Sequence, residues 1–157
     1  MLPIAALITL TYPYLKGDRL ASQDITSVLH FTFLLLVVFQ FKQYLADFPL
    51  QRQYMLTGKV QAGWDFVLPL AIHCTVHATL TLAILLIADP RMWWLCFFDF
   101  VMHFTMDRIK SSPMLLGRYN NLQKAAFWNC LGLDQTVHHL THYFIIWTVV
   151  KDLFQLS

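Results

Sequence analysis

The chain has 157 residues, of which 57% are hydrophobic and only 13% are charged, and its net charge is +2. A soluble domain is typically about 45–50% apolar and about 25% charged, and one of this size buries only about 70% of the surface that its unfolded chain exposes. The composition therefore indicates an integral membrane protein, and the small net charge gives no reason to expect a nucleic acid as partner.

The N-terminal segment, residues 1–24, begins with the apolar stretch MLPIAALITLTYPYL, which is too short to cross a bilayer as a helix. It contains Pro3 and Pro13 and lacks the basic stretch that opens a signal peptide. We predict that this segment lies at the membrane interface or re-enters the membrane. Residues 25–157 are predicted to form a single transmembrane domain.

Four apolar segments follow, each close to the roughly 20 residues that a transmembrane helix needs. They cover about residues 27–46, 64–88, 92–109 and 125–150. The tryptophans lie near the ends of these segments, where an interfacial aromatic belt would place them. The sequence thus predicts an all-α fold, an integral membrane bundle of four transmembrane helices.

The distribution of lysine and arginine predicts how this bundle is oriented. Seven of these residues lie on the side of the two polar connections, and four lie on the opposite side. The seven are Lys42, Arg52, Lys59, Arg108, Lys110, Arg118 and Lys124, and the four are Lys16, Arg19, Arg91 and Lys151. Because loops rich in lysine and arginine stay in the cytoplasm, we predict a multi-pass protein of the bacterial inner membrane with both termini outside.

Histidine and aspartate recur inside the four segments at a spacing of four residues. Asp47 closes the first segment, and the others are His73 and His77 in the second, Asp99, His103 and Asp107 in the third, and Asp134, His138 and His142 in the fourth. Residues four apart lie on one face of a helix, so each segment presents a polar stripe. Ionisable side chains are costly within a membrane, and such stripes therefore mark functional sites.

These stripes also share one depth. At about 1.5 Å per residue, six of these residues lie about 6–16 Å from the cytoplasmic ends of their antiparallel helices, so they can converge inside the bundle. Asp47 lies shallower, and Asp99 and His142 lie one turn deeper. We predict that the stripes bind a divalent metal through His73, His77, His103, Asp107, Asp134 and His138. Zinc is the first candidate because it binds imidazole and carboxylate, with manganese or iron as alternatives, and one or two ions would fit.

The other polar residues receive supporting roles. An aspartate that the metal leaves free could act as a general base, so Asp47 and Asp134 are the predicted catalytic residues. The residues predicted to orient the ligands from behind are Asp99, His142, Gln135 and Lys110. A simpler alternative is that each histidine pair only forms a buried ion pair or hydrogen bonds. The shared depth favours a joint site over that alternative.

With these residues the chain resembles a family of small phage and bacterial multi-pass membrane proteins classed only as a domain of unknown function. The family pattern has A-D-F-x-L-Q after the first span, H-x-x-x-H in the second, H-x-x-x-D-x-x-K in the third and D-Q-x-x-H in the fourth. The matching stretches begin at Ala46, His73, His103 and Asp134. More distantly, the chain is similar to bacterial inner-membrane proteins labelled metal-dependent hydrolases. The resemblance covers about residues 27–150 and implies a phage-encoded or bacterial membrane protein with a metal site.

Several functions are compatible with such a site. The first is a membrane-embedded metal-dependent hydrolase whose partners are the lipid bilayer and a lipid-borne or phosphorylated substrate, with an oligomer also compatible with the sequence. The second is an accessory protein that binds a partner and uses the metal only as a structural staple. A transporter of divalent metal or protons is disfavoured because the outer half offers few polar side chains. A b-type haem protein is disfavoured by the carboxylates beside the histidines.

Overall fold

The computed structural model describes residues 25–156, which contain five α-helices, two short 3-10 turns and no β-strand. The helices are α1 (Ile25–Asp47), α2 (Gln53–Gly58), α3 (Val67–Ala88), α4 (Leu95–Ser111) and α5 (Ala125–Phe154). The 3-10 turns are Pro90–Met92 and Leu116–Arg118. The predicted all-α fold is confirmed. The predicted interfacial segment, residues 1–24, lies outside the described residues.

Two of the described helices, α1 and α3, are long and apolar enough to cross a membrane, judged by length and composition only. Their 23 and 22 residues extend about 35 and 33 Å, close to the thickness of a bilayer core. Helix α4 has only 17 residues and carries two aspartates, an arginine and a lysine. The structure thus supports two of the four predicted spans by this measure.

The turn between α3 and α4 is joined to the end of α5 by an ion-pair cluster. Arg91 donates from its backbone N–H and from its guanidinium to the carboxylate of Asp89, at 2.9–3.1 Å. The same guanidinium lies 2.6 Å from Asp152 in α5. Pro90 opens the 3-10 turn, where its fixed φ angle is suited to a tight connection. These contacts hold α3, α4 and α5 in register at this end of the bundle.

An apolar core fills the half of the bundle that contains this turn. Its buried side chains come from the first part of α1, the end of α3, the start of α4 and the second half of α5. They include Phe31, Leu35, Phe39, Leu85 and Ile145. Their close packing stabilises this half through many van der Waals contacts.

The other half of the same four helices buries polar and charged side chains. The buried polar and charged residues of this half include Lys42, Gln43, His73, His77, Thr81, Asp99, His103, Asp107, Asp134, His138, Thr141 and His142. Large apolar side chains point outward instead, among them Phe97 and Val101 of α4 and Leu140 of α5. Buried polar groups are costly unless they are paired, so this half of the bundle must supply partners for each of them.

The connection between α1 and α3, residues 48–66, packs onto this polar half. A side chain at Gly58 would place its Cβ 2.3 Å from Cγ of Pro69, so the close approach of the connection to α3 requires glycine here. The backbone carbonyl of Lys59 accepts a hydrogen bond from Ser111 Oγ at 2.9 Å, and Arg108 stacks 3.5 Å over the ring of Phe66. The connection therefore directs the side chain of Lys59 toward the bundle interior.

Candidate metal centre

Three groups of histidine and aspartate side chains within residues 25–156 are placed so that they could hold a metal ion. We name them by their first residue: the Asp47 group (Asp47, His73, His77), the Asp99 group (Asp99, His103, His142) and the Asp107 group (Asp107, Asp134, His138). In each group, one potential ligand atom per residue lies within 4.8 Å of the others. Asp47 is partly exposed, and the other eight residues are buried.

The Asp47 group joins the end of α1 to the first half of α3. Asp47 Oδ1 lies 3.1 Å from His77 Nε2 and 3.6 Å from His73 Nε2. Gln43 Nε2 donates to the other carboxylate oxygen, Oδ2, at 2.7 Å and so orients Asp47. Nitrogen and oxygen ligands at the usual zinc distances stand about 3.3 Å apart in a tetrahedron. The spacing of these three atoms therefore fits a zinc ion.

The Asp107 group joins α4 to α5 and already contains two cations at its edge. His138 Nε2 lies 3.2 Å from Asp107 Oδ1 and 3.2 Å from Asp134 Oδ1. Lys59 Nζ lies 2.9 Å from Asp107 Oδ2, and Lys110 Nζ lies 2.6 Å from Asp134 Oδ2. Both carboxylates are thus paired with ammonium groups as well as with the imidazole.

These two groups are in contact with each other. His73 Nε2 lies 3.3 Å from Asp107 Oδ2, which links the Asp47 group to the Asp107 group. The ring of His103 lies between those of His77 and His138, with centroids 4.0 and 4.1 Å apart. The structure thus brings the six side chains predicted as metal ligands into one contiguous cluster, contributed by α3, α4 and α5. Their role as ligands stays a prediction.

The Asp99 group lies one turn deeper, next to the apolar core, and it includes a lysine that was not predicted there. Lys42 of α1 is only 2% exposed, and its Nζ lies 2.8 Å from Asp99 Oδ2 and 3.0 Å from His142 Nε2. Thr81 Oγ1 donates to the same Asp99 oxygen at 2.8 Å. His103 Nδ1 lies 3.2 Å from the other one, Oδ1. Lys42 follows the buried Leu35 and Phe39 at helical spacing, a signal that could have identified it.

The residues predicted to support the ligands do contact the cluster. Gln135 Nε2 lies 3.5 Å from Asp47 Oδ2 and 3.4 Å from Asp134 Oδ2. Lys110 contacts the cluster by pairing with Asp134 at 2.6 Å. Gln51, in the A-D-F-x-L-Q stretch, donates to the backbone carbonyl of Asp47 at 3.1 Å when its amide oxygen faces Lys59 Nζ. This glutamine and Lys59 are site residues that the sequence analysis did not assign.

The predicted catalytic aspartates occupy different surroundings. Asp47 is 19% exposed and is the more accessible of the two. Its Oδ1 nevertheless lies close to two imidazole nitrogens, those of His73 and His77. Asp134 is buried, Lys110 pairs with its Oδ2, and its Oδ1 lies 3.2 Å from His138 Nε2. Neither aspartate therefore stands apart from the cluster.

Three of the seven lysines and arginines counted toward one side of the membrane lie inside the bundle. Lys42, Lys59 and Lys110 pair with Asp99, Asp107 and Asp134, respectively. The prediction that both termini lie outside counts these three lysines as loop charges. Without them, four lysines and arginines remain on each side of the membrane. Lysine and arginine therefore favour neither orientation once the ion pairs are known.

A family model described as "Protein of unknown function (DUF3307)" matches residues 31–156. The matched range includes every residue of the three groups and most of the four long helices. No curated protein and no solved structure matches the chain. The comparisons thus give a family and leave the function to be inferred from the site.

Proposed function

The chain belongs to the DUF3307 family, whose function is not known, and from its own side chains we propose that it is a membrane-embedded, metal-dependent hydrolase that binds zinc. The observation that carries this proposal is the convergence of buried histidines and aspartates from four helices at one end of the bundle. Buried charges at this density are rare unless they pair with one another or coordinate a metal. Manganese and iron remain the alternative ions.

The exposed faces of α4 and α5 support a bundle of four membrane-spanning helices. Phe97 and Val101 of α4 are about 60% exposed, whereas both aspartates of this helix are buried. Helix α5 exposes Leu133, Leu140 and Trp147 in the same way. A criterion based on composition disfavours α4 and α5 as membrane spans because it includes their buried charges. A bilayer would contact only the apolar outer faces of these helices.

The Asp47 group is the proposed position of the ion. It contains one carboxylate and two imidazoles, and none of the ammonium groups described above pairs with Asp47. His103 supplies a further nitrogen next to it, because its ring contacts that of His77 and its buried Nε2 makes no hydrogen bond to any described residue. A buried nitrogen without a donor or acceptor partner is a suitable metal ligand.

Charge favours one ion over two. The Asp47 and Asp107 groups contain three carboxylates, and Lys59 and Lys110 contribute two positive charges, so the net charge is −1 with neutral imidazoles. One divalent ion brings the cluster to +1, whereas two would bring it to +3. A buried cluster with a net charge of +3 is strongly disfavoured. A second ion would therefore require both lysines to leave their aspartates.

The proposed reaction is hydrolysis by an activated water. A divalent ion in such a site lowers the pKa of a bound water toward about 7 and polarises a phosphoryl or acyl oxygen. Asp134 is the proposed general base, with its Oδ1 beside His138 Nε2 at 3.2 Å. Lys110 holds the other oxygen of this carboxylate and so fixes its direction.

The surroundings of the site favour a lipid-borne phosphoester as substrate. Lys59 and Lys110 are 12% and 30% exposed, and their ammonium groups could bind a phosphate at the mouth of the cluster. A groove of about 360 Å³ follows the outer face of α3, lined by Leu50, Ile72 and Leu80 among others. Leu50 directly precedes Gln51, which contacts the site, so an acyl chain in this groove would hold the headgroup beside the ion.

A second candidate function is an accessory protein whose metal only stabilises the bundle. This function is favoured by the pairing of Asp107 and Asp134 with lysines. Aspartates whose charges are neutralised by lysines can be buried for structural reasons, without any catalytic role. Transport is less well supported, because the apolar half of the described bundle offers no continuation of the polar path beyond the Asp99 group.

The test is hydrolysis by the purified protein in lipid nanodiscs loaded with zinc. We expect release of phosphate or headgroup from an anionic phospholipid, with activity lost on chelation and in His138→Ala. His139→Ala is the matched control, because His139 directly follows His138 in α5 but contacts Gln40 outside the cluster. Zinc binding without hydrolysis of any phospholipid or soluble phosphoester would favour the accessory role.

A further inference from the structure

The Asp99 group has the geometry of a metal site but already contains a cation. The ammonium of Lys42 lies 2.8 Å from Asp99 Oδ2 and 3.0 Å from His142 Nε2, two of the atoms that a metal ion would use. Its positive charge cancels that of the Asp99 carboxylate. A divalent ion could enter only if Lys42 left, and a lysine that is 2% exposed would then lose the carboxylate that pairs with its buried charge.

The contacts of Asp99 determine where His103 carries its proton. His103 Nδ1 lies 3.0 Å from the backbone carbonyl of Asp99 and 3.2 Å from Asp99 Oδ1, and both of these oxygens can only accept. Nδ1 must therefore be the protonated nitrogen, which leaves Nε2 with a free lone pair in the neutral ring. This Nε2 is buried and makes no hydrogen bond within the described chain.

The position of Asp99 depends in turn on Lys42. Asp99 Oδ2 receives the ammonium of Lys42 and the hydroxyl of Thr81, both at 2.8 Å, which leaves Oδ1 directed at His103. Lys42 also donates to His142 Nε2, so His142 cannot be protonated at that nitrogen while it is neutral. One lysine thus sets the orientation of a carboxylate and the hydrogen-bond roles of two imidazoles.

We propose that Lys42 is the resident cation of the Asp99 group and that, through Asp99, it holds His103 in the tautomer whose Nε2 is available to the ion of the neighbouring Asp47 group. Lys42 is then a positioning residue, since it contacts neither the ion nor a substrate. The claim that His103 Nε2 serves the ion rests on the proposed metal site. The claim that Lys42 is the resident cation of the Asp99 group concerns the protein without metal. The ammonium of Lys42 also explains why the Asp99 group, although it contains metal-binding residues, needs no ion of its own.

The first test uses the metal-free protein, labelled with ¹⁵N in its histidine rings and studied by NMR in nanodiscs. We expect one imidazole signal with a protonated Nδ1 and a bare Nε2 that disappears in His103→Gln. Protonation of His103 at Nε2, or at both nitrogens, would overturn the inference. If the wild type shows the expected tautomer but binds no zinc, the proposed metal site fails while the role of Lys42 in setting this tautomer stands.

The second test counts zinc ions in Lys42→Met. Removal of the ammonium leaves the Asp99 carboxylate and the His142 imidazole without a cation, so this variant should bind one zinc ion more than the wild type, whereas the exposed-lysine control Lys124→Met should not. An unchanged count would overturn the resident-cation role.

Should Lys42→Met not fold, Lys42→Met/Asp99→Asn removes both buried charges together. This double variant should fold, should show His103 partly protonated at Nε2, and should bind zinc about 10- to 100-fold more weakly, as expected when the partner that orients a ligand is lost. A double variant with the wild-type tautomer and affinity would refute the positioning role.

Discussion

The number of ions depends on Lys59 and Lys110, and replacing both with methionine should raise it from one to two. These ammonium groups neutralise Asp107 and Asp134 at 2.9 and 2.6 Å, and with them in place the cluster has a net charge of −1 before any ion binds. The double variant Lys59→Met/Lys110→Met has a net charge of −3. Two divalent ions then bring it to +1, the value that one ion gives in the wild type.

The size of the effect follows from the repulsion between the ions. Two unit charges 4 Å apart interact by about 4 kcal/mol at an effective dielectric constant of 20, so two divalent ions at that distance repel by roughly 16 kcal/mol. In the wild type, two of the three carboxylates that could offset this repulsion are paired with lysine. In the variant all three are available, and the Asp107 group supplies ligand atoms within 4.8 Å of one another.

The assay is elemental analysis of the detergent-purified protein after dialysis against a fixed concentration of free zinc. We expect one zinc per chain in the wild type and two in the double variant. Lys124→Met/Lys151→Met is the matched control, because it removes two exposed lysines and the same total charge. A double variant that still binds one ion, or a wild type that already binds two, would refute this charge accounting.

Three further changes have defined outcomes. Asp47→Asn should weaken zinc binding more than about 100-fold, which exceeds the effect of losing a residue that only orients a ligand. If zinc titration shows normal affinity while hydrolysis is lost, Asp47 is the general base instead of a ligand. Gly58→Ala should lower the free energy of unfolding by about 1–3 kcal/mol in denaturant titrations, because its Cβ would overlap a proline ring, whereas Gly132→Ala, which faces open space, should not. Cysteines introduced at the exposed positions Gln61 and Asn120 should be labelled from the same side of the membrane; labelling from opposite sides would exclude the four-span bundle.

The convergence of the histidines and aspartates could be predicted because it depends on helix geometry alone. A spacing of four residues places two side chains on one face, and the rise per residue sets their depth. The contact between His73 and Asp107, at 3.3 Å, agrees with the face and the depth that the spacing and the rise per residue give for these two residues. The ends of the helices were less predictable. Trp64 and Trp93 are apolar enough to extend a predicted span, yet both lie in turns before α3 and α4.

The lysine partners could not be predicted in the same way, for physical reasons. Lys59 reaches Asp107 across 48 residues of sequence, and that contact depends on the close approach of Gly58 to α3. Lys42 was counted as a charge near a loop, although its spacing from Phe39 places it on the buried face of α1. Rules that count charges by position along the chain cannot distinguish a solvated lysine from one paired inside the bundle.

The most direct test of the central claim is the zinc content of the wild type beside that of His73→Ala/His77→Ala. Both histidines belong to the Asp47 group, and their removal leaves Asp47 as its one remaining member. We predict one zinc per chain in the wild type and in the control His139→Ala, and less than about a tenth of that in the double variant, since affinity depends on ligand number and geometry. A wild type without bound metal, or a double variant that keeps its zinc, would contradict the assignment of this cluster as a metal centre.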